Sequence, residues 1–180
     1  MSVNPIQSLK QQLSEANIWD ELLTFNRWEY IKKENSKDTN LYFIEEGCVR
    51  VYFLEDSHEH SLYFGYKGSL ISALDSFLSE ESSSIIIQCL HKTKVKVISK
   101  EAFTKFIQES ETGFDLWQKA LSGLTQMQLE REKDLLIQSP QLRYERILLR
   151  QPLLFQNVPH KYIASYLRMT PETLSRILNS

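Results

Sequence analysis

Two residues near the C-terminus, Glu172 and Arg176, have the side chains best suited to chemistry on a nucleic acid. A glutamate can accept a hydrogen bond from cytosine N4, and an arginine can donate two to guanine O6 and N7. Their spacing puts both side chains on one face of a helix, but it also suits an ordinary ion pair. The pair therefore favours base contact only if its helix belongs to a DNA-binding motif.

The surrounding residues, 157–179, have the pattern of a helix-turn-helix, which holds its second helix out for the major groove of DNA. Thr170 suits the N-cap of that helix, and Pro171 suits its first position. Ala164 is the small residue at which the two helices would cross. The inward positions of the motif are apolar: Ile163, Leu167, Met169, Leu174 and Ile177.

The predicted DNA contacts lie on the second helix, at the corner before it and on the first helix. Such corners usually have glycine where this chain has Arg168, and a positive φ costs arginine more than glycine. We expect either a differently shaped corner or a tolerated strain, with Arg168 reaching a phosphate. Residues 143–176 contain six Lys/Arg and two Glu, so this end is basic although the net charge of the chain is -2. The predicted contacts are Thr170, Pro171, Glu172, Thr173, Ser175, Arg176, Arg168 and Lys161.

The composition is ordinary for a globular protein of 180 residues, with 42% hydrophobic and 24% charged residues. No apolar run approaches the ~18 residues of a membrane span, and the N-terminus lacks a signal-peptide pattern. Cys48 and Cys89 lie in strand-like runs, so neither a disulfide framework nor an iron–sulfur site is predicted. We expect a cytoplasmic protein with no membrane partner.

The rest of the chain predicts helix, then strands, then helix again. Residues 4–26 have apolar residues at helical spacing, including Leu22 and Leu23. Residues 27–99 contain short aromatic and β-branched runs separated by turns, which is typical of a β sandwich or barrel. Ser99 is a suitable N-cap for the helix that follows. The predicted parts are a barrel domain with N-terminal helices at 1–111, a long helix at 112–139 and a helix-turn-helix domain at 140–180.

The long helix has an apolar stripe suited to dimerisation, because its members recur at intervals of three and four residues, as in a coiled-coil seam. The alternative is one helix packed against its own barrel. Pro140 is a stop signal after this helix, and a further helix is predicted over 141–150. The stripe consists of Phe114, Trp117, Leu121 and Leu124.

Two segments carry a resemblance to the Crp/Fnr family of bacterial transcription regulators. Residues 169–178, Met-Thr-Pro-Glu-Thr-Leu-Ser-Arg-Ile-Leu, look like the family's recognition helix, with Glu172 and Arg176 at base-reading positions. Residues 41–52 are similar to a barrel strand pair of the family, with Gly47 at the turn. The resemblance implies an α+β fold: an N-terminal cyclic-nucleotide-binding-like β jelly roll, a long dimerisation helix and a C-terminal helical helix-turn-helix domain.

The resemblance also implies what the protein does and what it binds. It implies a homodimeric transcription regulator, not an enzyme, that reads a palindromic site in double-stranded DNA with the helix over 170–179. RNA polymerase and a small-molecule effector are further partners that the resemblance allows, and no cofactor is predicted. Pro171 replaces the family's first arginine, so one expected contact is missing. The family's wing would lie between Arg150 and Val158, a segment too short for a full hairpin, so we expect it to be reduced or absent.

The expected effector site departs from that of family members that bind cyclic AMP. Those have Gly-Glu and, about ten residues later, an arginine that neutralises the phosphate, while the glutamate holds the ribose hydroxyl. The best register puts Ala73 and Ser83 at those two positions, with Ser72 and Ser84 beside them. Because burying a phosphate without a cation is strongly unfavourable, we predict weak or no binding of cyclic AMP, with the effector unknown.

Two other functions are weighed against DNA regulation. The chain could be a ligand- or partner-binding module whose DNA-binding end has lost activity, since Arg168 and Pro171 are unusual there. His58 and His60 alternate as metal ligands do in jelly-roll enzymes of the cupin type. However, His58 reads as part of an exposed hairpin loop, and the further ligands of a cupin are missing. No catalytic or metal-binding residue is therefore predicted.

Overall fold

The computed structural model describes residues 5–179, which form eight helices and eight strands. The helices are α1 (Pro5–Glu15), α2 (Leu74–Ser79), α3 (Lys100–Glu109), α4 (Gly113–Leu136), α5 (Pro140–Arg150), α6 (Pro152–Asn157), α7 (His160–Tyr166) and α8 (Pro171–Leu178). The strands are β1 (Glu21–Phe25), β2 (Tyr30–Lys32), β3 (Asn40–Glu46), β4 (Cys48–Glu55), β5 (His58–Tyr66), β6 (Leu70–Ile71), β7 (Ile86–Cys89) and β8 (Thr93–Ser99). Within this part of the chain, no helix is long and apolar enough to cross a bilayer.

The strands form two antiparallel four-stranded sheets, ordered β1-β8-β3-β6 and β2-β7-β4-β5. Successive residues of a strand point to opposite faces of the sheet, so each strand sends alternate side chains inward. The two sheets share an apolar core that includes Ile44, Val51, Ile87 and Val95, all fully buried. The β barrel predicted from the sequence is therefore confirmed, and the fold is α+β.

The N-terminal helix is shorter than the sequence pattern predicted. α1 ends at Glu15, and Asn17 has a positive φ of 50°. Leu22 and Leu23 lie in β1, which pairs with β8. The helix prediction for residues 16–26 is wrong, because apolar spacing along the chain does not reveal pairing with a strand some seventy residues away.

Two tight turns shape the sheet that contains β4 and β5. Gly47 turns the chain between β3 and β4 with a φ of 97°, and a Cβ there would lie 2.6 Å from the Lys92 carbonyl oxygen. Asp56 and Ser57 form the next turn, with φ values of 48° and 66°, as a two-residue hairpin of the I′ type requires. His58 therefore begins β5, opposite Glu55, directly after an exposed hairpin turn, and its side chain is exposed, as the sequence predicted.

The first half of α4 packs against the chain's own core. Trp117 meets the rings of Phe103 and Phe77 edge-on, with centroids 5.0 and 6.2 Å apart. α3 begins as predicted, because the Ser99 hydroxyl accepts from the Ala102 N–H. α4 ends at Leu136, before the predicted end at 139. The hinge that follows, residues 137–139, leads into α5, where Pro140 is the first residue and not only a stop.

The helices from α5 to α8 form an apolar cluster that continues into the barrel. α6 occupies the place where a wing would lie, and no strand is formed between residues 151 and 158. Because the cluster includes barrel residues, the terminal helices are docked on the barrel in this structure. Its fully buried members include Cys48 and Leu90 of the barrel and Leu154, Ile163, Ala164 and Leu174 of the helices.

Candidate nucleic-acid interface

α7 and α8 meet at a tight corner. The Met169 N–H donates to the Ala164 carbonyl oxygen at 3.0 Å, which closes the corner, and Ala164 is fully buried where the helices cross. Arg168 has a φ of 51°, the left-handed conformation that usually takes glycine. Of the two expected alternatives, the structure shows the tolerated strain. The surrounding packing must offset the cost of that conformation.

α8 is fixed by a cap at its start and by apolar contacts along one face. The Thr170 hydroxyl accepts from the Thr173 N–H at 3.2 Å. Pro171 occupies the first position, where the N–H that proline lacks would have no helical partner. Leu174 is fully buried, and Leu178 is packed against the same cluster. The opposite face of the helix is therefore free to meet a partner.

The outward face of α8 carries exposed polar groups, including Glu172, Ser175 and Arg176. The guanidinium of Arg176 is turned toward the Thr173 hydroxyl at 3.5 Å and forms no ion pair with Glu172. Hydrogen bonds from its own backbone N–H and from the Thr170 hydroxyl lower the pKa of the Glu172 carboxyl. The face thus offers one ionised acceptor and one fork of donors, and the ion pair that would explain the same spacing is missing.

The two remaining predicted contacts lie away from that face. Arg168 is exposed at the corner, beside the start of α8. The Lys161 ammonium lies over the ring of Tyr162, 4.6 Å from its centroid. Tyr162 belongs to the side of α7 that meets the barrel, since its ring also contacts Arg50. Arg168 is therefore better placed than Lys161 to reach a phosphate beside α8.

Two arginines that were counted toward a basic DNA-binding end form ion pairs with acidic residues of the same chain. Arg146 Nε donates to Asp134 at 2.7 Å, and Arg150 pairs with the other oxygen of the same carboxylate. Asp134 is only 2% exposed, and both arginines also approach Glu130. These contacts fasten α5 to the end of α4. A signal existed in the sequence: two acids four residues apart precede two arginines four residues apart.

Arg143 is a third arginine with an internal role. It donates to the carbonyl oxygens of Ile137 and Gln138 in the hinge, at 2.6 and 3.2 Å. It also donates to the carbonyl oxygen of Arg168, at 3.2 Å. One side chain thus ties the hinge after α4 to the corner of the helix-turn-helix. The positive charge left for DNA is correspondingly smaller than the sequence count implied.

The predicted effector residues lie at the two ends of the segment that contains α2, here called the α2 loop (residues 72–85). Ser72 and Ala73 are buried at its start, Ser83 is buried near its end, and Ser84 is exposed. Two surface hollows of 520 and 480 Å³ lie elsewhere, beside α1 and between α3 and residues 16–18. None of the four residues lines either hollow.

The start of the α2 loop is bonded to the barrel. The Tyr63 hydroxyl donates to the Ser72 carbonyl oxygen at 2.7 Å, and burial raises the pKa of that phenol. The fully buried Ser76 hydroxyl accepts from the Asp38 N–H at 2.9 Å and donates to the Glu81 carbonyl oxygen at 2.6 Å. Because these polar groups satisfy one another, the start of the loop is held without any ligand.

The end of the α2 loop is held by Lys32, which is only 3% exposed. Its ammonium donates to the carbonyl oxygens of Lys33, Ser83 and Ile85 at 3.1, 2.9 and 2.7 Å. An ammonium has three donors, so all of them are used. Burial lowers the pKa of this ammonium. The cation that lies beside Ser83 is therefore committed to the backbone and is not free to neutralise a phosphate.

The predicted dimer residues differ in their surroundings. Phe114 is 57% exposed, whereas Leu121 and Leu124 are half-buried. Trp117 packs in the intrachain aromatic cluster described above, as the alternative interpretation expected for this helix. Beyond the predicted stripe, Leu129 and Leu136 are 52% and 78% exposed. α4 thus packs in part against the chain's own core and also exposes large apolar side chains to solvent.

The histidines of β5 have partners that do not involve a metal. His58 Nδ1 lies 2.9 Å from the Asp56 carbonyl oxygen. The His60 ring stacks on Phe53, and its Nε2 lies 3.7 Å from Glu55. Among residues 5–179, no three His, Cys, Asp or Glu side chains are placed so that they could hold a metal ion.

Comparison with known sequences identifies the barrel. The sequence model of the family described as cyclic nucleotide-binding domain matches residues 22–110. This segment covers β1 to β8 and α3, and thus contains the α2 loop. No curated protein gives a significant match to the chain.

Solved structures extend the likeness to the whole chain. A CooA double mutant from Carboxydothermus hydrogenoformans has a TM-score of 0.77 at 17% identity, over 99% of this chain and 84% of that one. FixK2 from Bradyrhizobium japonicum has a TM-score of 0.74 at 19% identity, over 88% and 82%. A transcriptional regulator of the Crp/Fnr family from Eubacterium rectale has a TM-score of 0.66 at 18% identity, over 96% and 81%. At these identities the likeness establishes a shared fold.

Proposed function

We propose that this chain, whose residues 22–110 belong to the cyclic nucleotide-binding domain family and whose fold is that of the Crp/Fnr regulators, is a homodimeric transcription regulator that binds DNA through α8. The observation that supports this best is that the outward face of α8 exposes polar side chains that do not pair with each other. The helix is capped and packed on one side, while Glu172 and Arg176 are exposed and unpaired with each other. A helix held in this way suits the major groove.

The dimer is proposed from α4. Its 24 residues form the longest helix of the part described, and Phe114, Leu129 and Leu136 expose large apolar surfaces along it. Burying such surfaces against a second copy would be favourable. Two α8 helices in a symmetric dimer would then read half-sites about 34 Å apart in a palindromic sequence. A regulator of this kind acts where DNA is, in the cytoplasm, and an activator would also contact RNA polymerase.

The barrel is proposed to bind cyclic AMP weakly or not at all. At the position of the ribose-binding glutamate, Ala73 has no side-chain acceptor, and at the position of the phosphate-binding arginine, Ser83 has no positive charge. The nearby cation, Lys32, is bonded to three carbonyl oxygens. Entry of a nucleotide would require these bonds, and the one between Tyr63 and Ser72, to be exchanged or the loop to move. Any effector of the protein would be a different molecule.

The DNA-binding proposal is tested by gel mobility shift with duplexes enriched from a random pool. Wild-type protein should bind them with a sequence preference at moderate salt. Arg176→Ala should weaken binding about 5- to 150-fold and relax the preference, as expected for a lost bidentate base contact. The control is Lys67→Ala, which removes an exposed positive charge from the barrel. If Arg176→Ala and Lys67→Ala bind DNA as tightly as wild type, the chain is better described as a module that binds another partner.

The dimer proposal is tested by sedimentation equilibrium. Phe114→Glu places a charge in the predicted seam and should shift the protein toward monomer. Gln126→Glu adds the same charge at an exposed position that is rotated about a third of a turn around the helix axis from Phe114. This variant should leave the dimer intact. A wild-type protein that stays monomeric at high concentration would contradict the proposal.

A further inference from the structure

The edge strand β5 has an irregularity at the place where the terminal helices dock. β5 is the last strand in the order β2-β7-β4-β5. Its register with β4 shifts between Val51↔Tyr63 and Tyr52↔Ser61, so Leu62 is an extra residue. Such a bulge redirects backbone N–H and C=O groups out of the ladder. An edge strand with redirected groups needs partners for them from outside the sheet.

A single serine of α7 supplies two of these partners. The Ser165 hydroxyl accepts from the Ser61 N–H at 3.2 Å and donates to the Glu59 carbonyl oxygen at 3.0 Å. The hydroxyl thus replaces one donor and one acceptor that a neighbouring strand would have provided. Because Ser165 precedes the corner by only a few residues, its bonds hold the helix-turn-helix close to the bulge.

Arg131 of α4 supplies the third partner. Its Nη2 donates to the Ser61 carbonyl oxygen at 3.0 Å, and its guanidinium lies 4.7 Å from the ring centroid of Tyr166 in α7. The Tyr166 ring also meets Phe64 of β5 edge-on, at 5.6 Å. The long helix, the barrel edge and the helix-turn-helix therefore meet at one point.

A buried arginine of β4, Arg50, contacts both β5 and α7 at this junction. Arg50 is completely buried; it donates to the Ser61 hydroxyl at 2.9 Å and pairs with Glu59 at 2.5 Å. Its guanidinium lies between the rings of Tyr52 and Tyr162, 4.3 and 4.1 Å from their centroids. A buried charge is costly unless it is well paired. Tyr162 of α7 is one of the groups that cover it, so withdrawal of α7 would partly expose this arrangement.

We infer that the β5 bulge, Ser165 and Arg131 form a seat that fixes the angle at which the helix-turn-helix is held relative to α4 and the barrel. Ser165 and Arg131 are positioning residues, since neither lies on the outward face of α8. The consequence for DNA rests on the proposed function. In a dimer, the angle of each helix-turn-helix sets the distance between the two α8 helices, so the seat selects the half-site spacing that is bound best.

The seat is tested first without DNA, by hydrogen–deuterium exchange of wild type, Ser165→Ala, Arg131→Gln and the control Ser82→Ala, an exposed serine of the α2 loop. In Ser165→Ala, amides of residues 59–63 and 160–166 should exchange about 2- to 10-fold faster, as expected for loss of side-chain hydrogen bonds. Amides of the inner strands β4 and β7 should be unchanged, which shows that the barrel remains folded. Arg131→Gln should affect the same segments, and Ser82→Ala should affect neither. Unchanged exchange in both seat variants would overturn the inference.

The consequence for DNA is tested with a set of duplexes whose half-sites are moved apart one base pair at a time. Wild type and Ser82→Ala should favour one spacing sharply. Ser165→Ala should bind that spacing several-fold more weakly and discriminate less between neighbouring spacings. If exchange changes but the spacing profile does not, the seat does not position α8. If wild type binds no duplex specifically, the proposed function fails, while the exchange experiment still decides whether the seat exists.

Discussion

The α2 loop of the barrel and the outward face of α8 use polar side chains in opposite ways. In the barrel, Lys32, Tyr63 and Ser76 are bonded to the chain's own backbone around the predicted effector site. On α8, Glu172 and Arg176 are exposed and do not pair with each other. A polar group that already has its partners cannot gain much from a ligand, whereas an exposed one can. The comparison supports the proposal that recognition is concentrated at the C-terminal end.

The largest expected effect concerns α8, the helix proposed to bind DNA. Leu174→Ala should lower the free energy of unfolding by about 2–5 kcal/mol, because it leaves a cavity in the cluster shared by α5 to α8. Specific DNA binding should be lost with it. Urea denaturation measures the first effect, with Leu149→Ala, 86% exposed, as the control. A loss no larger than that of the control would show that α8 is not held by this cluster.

The second effect concerns the α2 loop of the barrel. Lys32→Met removes the donors for the Ser83 and Ile85 carbonyl oxygens in a buried site, so it should cost about 1–3 kcal/mol of stability. DNA affinity should change little, since α8 is untouched. Lys33→Met, at the exposed neighbouring position, is the control in the same denaturation experiment. If the two variants are equally stable, the α2 loop is not held by this lysine.

The third effect uses two buried thiols of the barrel, Cys48 in β4 and Cys89 in β7. Burial raises the pKa of Cys48 to about 12 and that of Cys89 to about 11, from an ordinary value of 9.0. The folded state holds these protons more tightly than the unfolded state, so stability is fully present below pH 9 and falls as the pH rises toward 11 and 12. Denaturation curves between pH 8 and pH 12 should show this fall, to a smaller extent in Cys48→Ala.

The alkylation rates of the same two thiols show whether the terminal helices or the barrel core opens more readily. Cys48 packs with the terminal helices, whereas Cys89 lies in the barrel core. Leu174→Ala should therefore speed alkylation of Cys48 by iodoacetamide more than that of Cys89, as read by mass spectrometry of peptides. Equal acceleration at both sites would mean that barrel and terminal helices open as one unit.

The smallest expected effect is the absence of a response to cyclic AMP. A ligand present at 100 times its Kd stabilises a protein by about 2.7 kcal/mol, which a melting curve detects easily. We expect no shift in Tm and no change in DNA affinity with cyclic AMP at about 1 mM. A shift of several degrees would show that the α2 loop can rearrange around a nucleotide in spite of its internal bonds.

The sequence predicted best the features that depend on neighbouring residues. Thr170 and Pro171 are adjacent signals for the start of α8, and both take the expected places. The left-handed φ of Arg168 is one of the two alternatives that the sequence left open, because Arg168 stands where such corners usually have glycine. The outward orientation of Glu172 and Arg176 also follows from helical periodicity alone, and the structure agrees with it.

The features that sequence reasoning missed depend on residues far apart in the chain. Leu22 and Leu23 have helical spacing but pair with β8. Packing against cross-strand neighbours decides whether a segment forms a strand, and such neighbours cannot be read from local spacing. The bonds of Arg143 to the hinge and corner have no local signature. The same is true of Ser165, whose partners Ser61 and Glu59 lie in β5 about a hundred residues earlier. Such contacts decide how the helix-turn-helix is oriented, so its orientation could not be predicted.

The central claim is that two copies of this chain read DNA together through α8, and repeated selection of bound duplexes from a random pool tests it most directly. Wild-type protein should enrich an inverted repeat whose half-sites are about one helical turn apart, centre to centre. Arg176→Ala should enrich the repeat less, with the preference relaxed at the same position in each half. Enrichment of no sequence, or of an unrepeated one that Arg176→Ala enriches equally, would contradict the account.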